Sequence, residues 1–202
     1  MDFIVKEKES LADLEGDLNN ILIEISNAFP FKPSLISSIK NDRLQSFIKY
    51  DIVPEIKANK ELKIDILWDV SIPSYEQKKI IYTYLDFQES ANRLNVYNLE
   101  SVAADKISRI MDVDKEARHI YDLWYLLKLE SMEIPKLKNE LIKRFGFKLY
   151  FPNLIKVIRS KIYRRAWKIR LEKQVPGLPP YESVIAELEE FIKNKLIDQY
   201  QE

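Results

Sequence analysis

The chain has 202 residues, among them one histidine, three glycines and no cysteine, and its 32 basic residues balance 32 acidic ones. This composition excludes disulfides, a thiolate zinc site and a cysteine nucleophile, and Gly16, Gly146 and Gly177 lie too far apart to form a Walker A loop or a Rossmann fingerprint. No apolar run approaches the roughly 20 residues that cross a bilayer and no leader pattern opens the chain, so the expected protein is soluble and cytoplasmic, with no global field toward nucleic acid.

In chain order, Asp2 to Val5 predicts a short strand and Ser10 to Phe29 a helix. In that helix Leu11, Leu14, Leu18, Ile21, Leu22 and Ile25 recur at helical spacing. Pro30 and Pro33 end it. Leu44 to Val53 and Leu62 to Val70 predict two strands joined as a hairpin through a polar turn at Lys57 to Lys60. Further strands are predicted at Ile80 to Phe87 and Leu94 to Tyr97. From Asn98 onward the pattern becomes helical: a helix capped by Asn98, a second from Lys115 to Leu129, then Leu137 to Phe145, Pro152 to Lys173 and Tyr181 to Gln199. The expected fold is therefore α/β (α+β), with a small mixed sheet and flanking helices over residues 1–98 and a helical region over 99–202 packed on that core.

Two segments have the form apolar-Asp-apolar on predicted strands, Met1-Asp2-Phe3 and Ile64-Asp65-Ile66. Apolar neighbours would anchor each strand while the aspartate faces away from the core, and two such strands can present carboxylates to a shared cation. The alternative is a half-exposed strand, in which Asp65, with Asp69 on the same face, merely meets solvent.

More distinctive is the run Leu99-Glu100-Ser101-Val102-Ala103-Ala104-Asp105-Lys106-Ile107 followed by Glu116-Ala117-Arg118-His119-Ile120-Tyr121-Asp122-Leu123. Lys106 shares a helix side with Val102, Ala103 and Ile110, so it is partly desolvated. Such a cation either pairs with a carboxylate such as Asp122, as a structural bridge between helices, or meets an anionic ligand. A lysine on one helix, with an arginine and a Tyr-Asp-Leu element on the next, resembles the signature of the AbiEii/AbiGii nucleotidyltransferase toxins of toxin-antitoxin and abortive-infection systems. The likeness covers most of residues 1–130.

The resemblance implies transfer of a nucleotide from an NTP to an RNA, tRNA above all, or to a protein hydroxyl, dependent on Mg²⁺ or Mn²⁺, and it implies a cognate antitoxin as partner. By that resemblance Asp65, Lys106 and Asp122 are the catalytic residues, Lys106 and Arg118 contact nucleotide, and Asp2 and Asp65 hold metal. His119 stands where the family commonly has aspartate, and a histidine there could titrate near neutral pH. The family's Gly-Ser element and first aspartate have no counterpart here. The expectation is a start upstream of Met1 or a natural remnant, and the remnant would be a catalytically inactive module that binds RNA or antitoxin.

A basic stretch closes the reading. Lys161, Arg164, Arg165 and Lys168 are predicted along one helix face, opposite Ile155, Ile158, Ile162 and Ile169, with Tyr163 and Trp167 interleaved. Such a stripe suits an RNA backbone; the alternative is an ordinary solvated face.

Overall fold

The computed structural model describes residues 2–5, 10–30, 32–51, 60–68, 74–81, 93–112, 116–129, 131–146 and 149–197. The chain divides into two compact units, Met1–Ile72 and Pro73–Glu202.

The first unit holds strand β1 (Asp2–Val5), helix α1 (Leu11–Ala28) and strands β2 (Ser34–Lys40), β3 (Arg43–Tyr50) and β4 (Lys60–Trp68). Their sheet has the order β1-β4-β3-β2, with β1 parallel to β4 and the other pairs antiparallel. Helix α1 starts where a capping box can close. The Ser10 hydroxyl accepts from the Asp13 backbone N–H, and the Asp13 carboxylate accepts from the Ser10 N–H. Its leucine stripe then covers one sheet face: Leu11 and Leu22 are buried with Leu44, Ile48, Ile64 and Ile66, and Leu14, Leu18 and Ile25 pack against them.

Strand β2 was not expected from the sequence. It pairs with β3 through a two-residue turn in which Asn41 and Asp42 have φ of 47° and 56°. Two left-handed residues in succession match the twist of a tight hairpin, and asparagine and aspartate tolerate that region without glycine. The expected pairing of these two strands is present as β3–β4, antiparallel with Ser46 opposite Ile64 and Ile48 opposite Leu62. Most of its predicted turn, and Asp69, lie outside the described residues.

The second unit opens with a two-stranded antiparallel sheet of β5 (Tyr75–Lys79) and β6 (Arg93–Tyr97). Ile80 and Ile81 follow β5 without belonging to a strand, and the rest of the expected strand up to Phe87 lies outside the described residues. Helices α2 (Leu99–Met111), α3 (Ala117–Leu127), α4 (Ile134–Phe145), α5 (Phe151–Ile158), α6 (Lys161–Ala166) and α7 (Tyr181–Phe191) complete the unit. They share a core in which Ile107, Ile110, Ile120, Leu123, Leu137, Leu154, Val184 and Leu188 are buried. Asn98 caps α2 by accepting from the Ser101 N–H at 2.8 Å. Pro135 and Pro152 sit in the first turns of α4 and α5, where their missing N–H is not needed. None of the described helices is long and apolar enough to cross a membrane.

The single helix expected from Pro152 to Lys173 is two. The chain turns at Arg159 and Ser160, where Ser160 is extended, and α6 then runs into a π-helical turn, Trp167–Leu171. This break resets which side faces inward. Tyr163, Trp167 and Leu171 are buried, whereas Ile162 and Ile169, expected on the core side, are 60% and 51% exposed. The aromatics fit the core because their polar ends find partners: the Tyr163 hydroxyl donates to the Ile110 carbonyl at 2.9 Å and the Trp167 N–H to the Pro179 carbonyl at 3.2 Å. They are core residues rather than part of a cationic surface.

Candidate functional site

In the first unit, strand alternation decides the environment of Asp65. Ile64 and Ile66 point toward α1, so Asp65 lies on the opposite face, as the sequence pattern implied. It is nevertheless buried, not solvent-facing. Gln45 is its cross-strand partner and donates to Oδ1 at 2.9 Å, Arg43 reaches the same oxygen from Nη2 at 2.9 Å, and Lys63 pairs with Oδ2 at 3.0 Å. Burial alone would raise the Asp65 pKa, but the bonds from Gln45, Lys63 and Arg43 outweigh it and hold the carboxyl at about 2. The backbone of Asp2 sits in register with Asp65 on the neighbouring parallel strand.

This arrangement bears on a divalent ion. Both carboxylate oxygens of Asp65 already face cationic or amide donors. Among the described residues no cluster of three or more carboxylates or histidines is placed to hold a metal. These residues do not by themselves compose an open cation site, because an ion at Asp65 would have to take the place of Arg43 and Lys63.

In the second unit, helices α2 and α3 bring Lys106 and Asp122 together. Ala103, Ile107 and Ile110 are buried on α2 and Ile120 and Leu123 on α3, which fixes the facing sides of the two helices. At the edge of that contact the Lys106 ammonium donates to Asp122 Oδ2 at 2.7 Å, the two side chains being 22% and 37% exposed. The lysine stem is sheltered and the head is reachable. An ammonium has three donors, and this bond uses one. The pair can therefore hold a positive charge in a fixed place and still accept an anionic oxygen.

Arg118 is exposed and pairs with Glu116 at 2.6 Å. His119 is buried, and its Nδ1 has no hydrogen-bond partner among the described residues. On the other side of Lys106, Asp105 pairs with Arg109 at 2.9 Å and with Arg144 of α4 at 3.1 Å.

On α6 and the turn after it, Lys161, Arg165 and Lys168 are exposed, and Arg164 pairs with Glu182 at 2.8 Å. The basic residues do share an outward surface, but Ile162 and Ile169 share it with them.

One polar centre had no signal in the sequence. Glu140 of α4 is buried, and its carboxylate accepts from the Ser74 hydroxyl at 2.7 Å, the Ser101 hydroxyl at 3.0 Å and the Lys143 ammonium at 2.6 Å. Burial would raise its pKa, but Lys143, Ser74 and Ser101 outweigh that and hold it at about 2. Its donors lie up to 66 positions away in sequence, which no local pattern reports. The centre ties the start of β5 to α2 and α4.

The model of the family "Nucleotidyl transferase AbiEii toxin, Type IV TA system" matches residues 1–194. No curated protein matches the chain. Among solved structures, the nucleotidyltransferase toxin MenT4 from Mycobacterium tuberculosis is similar at 12% identity with a TM-score of 0.43, over 88% of this chain and 72% of that one.

Proposed function

The chain belongs to the AbiEii nucleotidyl transferase toxin family of type IV toxin-antitoxin systems, and from that premise we propose that it moves a nucleotide from an NTP onto an RNA hydroxyl, with tRNA as the first acceptor to try and a protein hydroxyl as the second. The observation that carries this reading is the Lys106–Asp122 pair, a sheltered but reachable ammonium held by one carboxylate on the two helices that bear the family's motif.

In the proposed reaction the acceptor oxygen bonds to the α-phosphorus, the bond to pyrophosphate breaks and the hydroxyl proton leaves to a base. Lys106 grips the triphosphate and draws charge toward the leaving pyrophosphate. Asp122 keeps the ammonium in place and orients or deprotonates the acceptor. Arg118 is the second phosphate contact, once it exchanges Glu116 for the ligand. Asp65 of the first unit is proposed as a catalytic carboxylate by the family resemblance alone. Magnesium or manganese, with Asp2 and Asp65 as its proposed carboxylates, would require Arg43 and Lys63 to withdraw from Asp65. An antitoxin protein is the proposed partner.

The ionised carboxylate of Asp65, already engaged by Arg43 and Lys63, favours a second reading, a catalytically inactive member that binds RNA or antitoxin. One experiment separates the two. The purified chain is incubated with each α-labelled NTP, Mg²⁺ or Mn²⁺, and either total tRNA or a protein extract. Label entering one acceptor pool, lost with EDTA and restored by either ion, supports the transferase. RNA or antitoxin bound without any label transferred supports the binding module.

A further inference from the structure

His119 is the chain's single histidine and lies 4% exposed on α3. Its Nδ1 is enclosed without a hydrogen-bond partner among the described residues, whereas buried side-chain nitrogens are nearly always partnered. Three residues further on, Asp122 holds Lys106 of α2, and that spacing puts ring and carboxylate on adjacent positions of one helix side. The largest charge effects on the ring come from Lys106 and Arg109 of α2 and Arg118 of α3, opposed by Glu116 just before α3, and in the free protein Lys106 is paired with Asp122 and Arg118 with Glu116. Asp105 of α2, which also meets Arg144 of α4, answers Arg109. Of the other elements packed on α3, α6 carries Lys161, Arg164 and Arg165, with Arg164 paired to Glu182, α7 brings Glu187 to Trp124 and Lys128, and the π-helical turn brings Trp167 against the ring of Tyr121. Burial first, then the fields of Lys106, Arg118 and Arg109, pushes the imidazole below its ordinary pKa, so it is neutral in the free protein at pH 7.

We propose that His119 takes up a proton when a polyphosphate binds at Lys106, so that nucleotide binding tightens as the pH falls. The inference rests on the reading of Lys106 as the triphosphate contact. A triphosphate sets several negative charges against the cation cluster that keeps the ring neutral, and at a buried ring those charges act through an effective dielectric well below that of water. The coupling is reciprocal. If phosphate favours the imidazolium, the imidazolium favours phosphate by the same factor.

A single histidine makes the test direct on the unaltered protein, through the NMR titration of its Cε1–H signal with and without saturating inorganic tripolyphosphate. The free protein is expected to titrate below the ordinary histidine value. With tripolyphosphate bound, the midpoint should rise by about one pH unit, equivalent to about tenfold tighter binding at acidic pH. His119→Asn should bind tripolyphosphate as the unaltered protein does above neutrality and lack the extra tightening below it. Lys106→Ala should abolish the rise. If tripolyphosphate binds at Lys106 and the midpoint does not move, the linkage is overturned while the nucleotide reading stands. If the unaltered protein does not bind tripolyphosphate, both fall.

Discussion

At the scale of the residue, Asp65 shows what a strand pattern can and cannot report. Alternation in Ile64-Asp65-Ile66 placed it opposite the α1 core, because that follows from the two-residue period alone. Its ion pairs could not be read the same way. Arg43 precedes it by 22 positions and reaches it only because β3 and β4 pair in the observed register. Asp65→Asn removes the charge that Arg43 and Lys63 share. As both cations remain partly exposed, the expected loss of stability is about 1–3 kcal/mol, measured by urea unfolding.

The same carboxylates set an acid limit. Asp65 and Glu140 titrate at about 2 in the folded protein, below their unfolded values, so between those values the unfolded chain binds more protons. Their contribution is fully present above about pH 4.5 and fades as the pH falls toward about 2. His119 has the same sign at a higher pH. Its folded pKa is lowered, so stability declines once the pH drops below the ordinary histidine value. Unfolding free energies from pH 7 down to about 2 should show an early shallow loss that His119→Asn removes and a later steep one that it leaves. A stability that stays flat through the acid range would contradict both assignments.

At the scale of the element, long periodic stretches were legible and turns were not. Helix α1 announced itself by its leucine and isoleucine stripe and α2 by its Asn98 cap. Strand β2 stayed hidden because its turn is Asn41-Asp42 with no glycine. The α5–α6 break stayed hidden because neither Pro nor Gly marks Arg159 and Ser160, so a continuous period carried the face of α5 forward through a segment that had been rotated. That rotation can be checked by substitution. Trp167→Ala should cost about 3–5 kcal/mol, as a buried aromatic does. Ile162→Glu and Ile169→Glu, on the exposed side, should change stability by no more than about 0.5 kcal/mol. A severe cost at Ile169 and none at Trp167 would restore the uninterrupted helix.

At the scale of the whole molecule, a net charge of zero means that any RNA contact must be local. The outward group of Lys161, Arg165 and Lys168 is where the proposed acceptor would be held. Reversing all three to glutamate should weaken tRNA binding and lower the slope of log affinity against log salt by about 2–3, since each lost phosphate contact removes roughly one unit. The resemblance to the family rests on two strongly periodic helices, so Lys106 and Asp122 could be named together before their 2.7 Å contact was seen. What was not legible was the company they keep. The burial of His119, the Asp105–Arg144 link and the Glu140 centre all depend on helices that approach from distant parts of the chain.

If Lys106 handles the triphosphate in a nucleotide transfer, the unaltered chain should move label from an α-labelled NTP to tRNA, and Lys106→Ala, first shown to be folded, should do so about 100-fold or more slowly, the effect of removing a charge that stabilises the leaving group. Equal rates in the two proteins would contradict that role and leave the Lys106–Asp122 pair as a brace between helices.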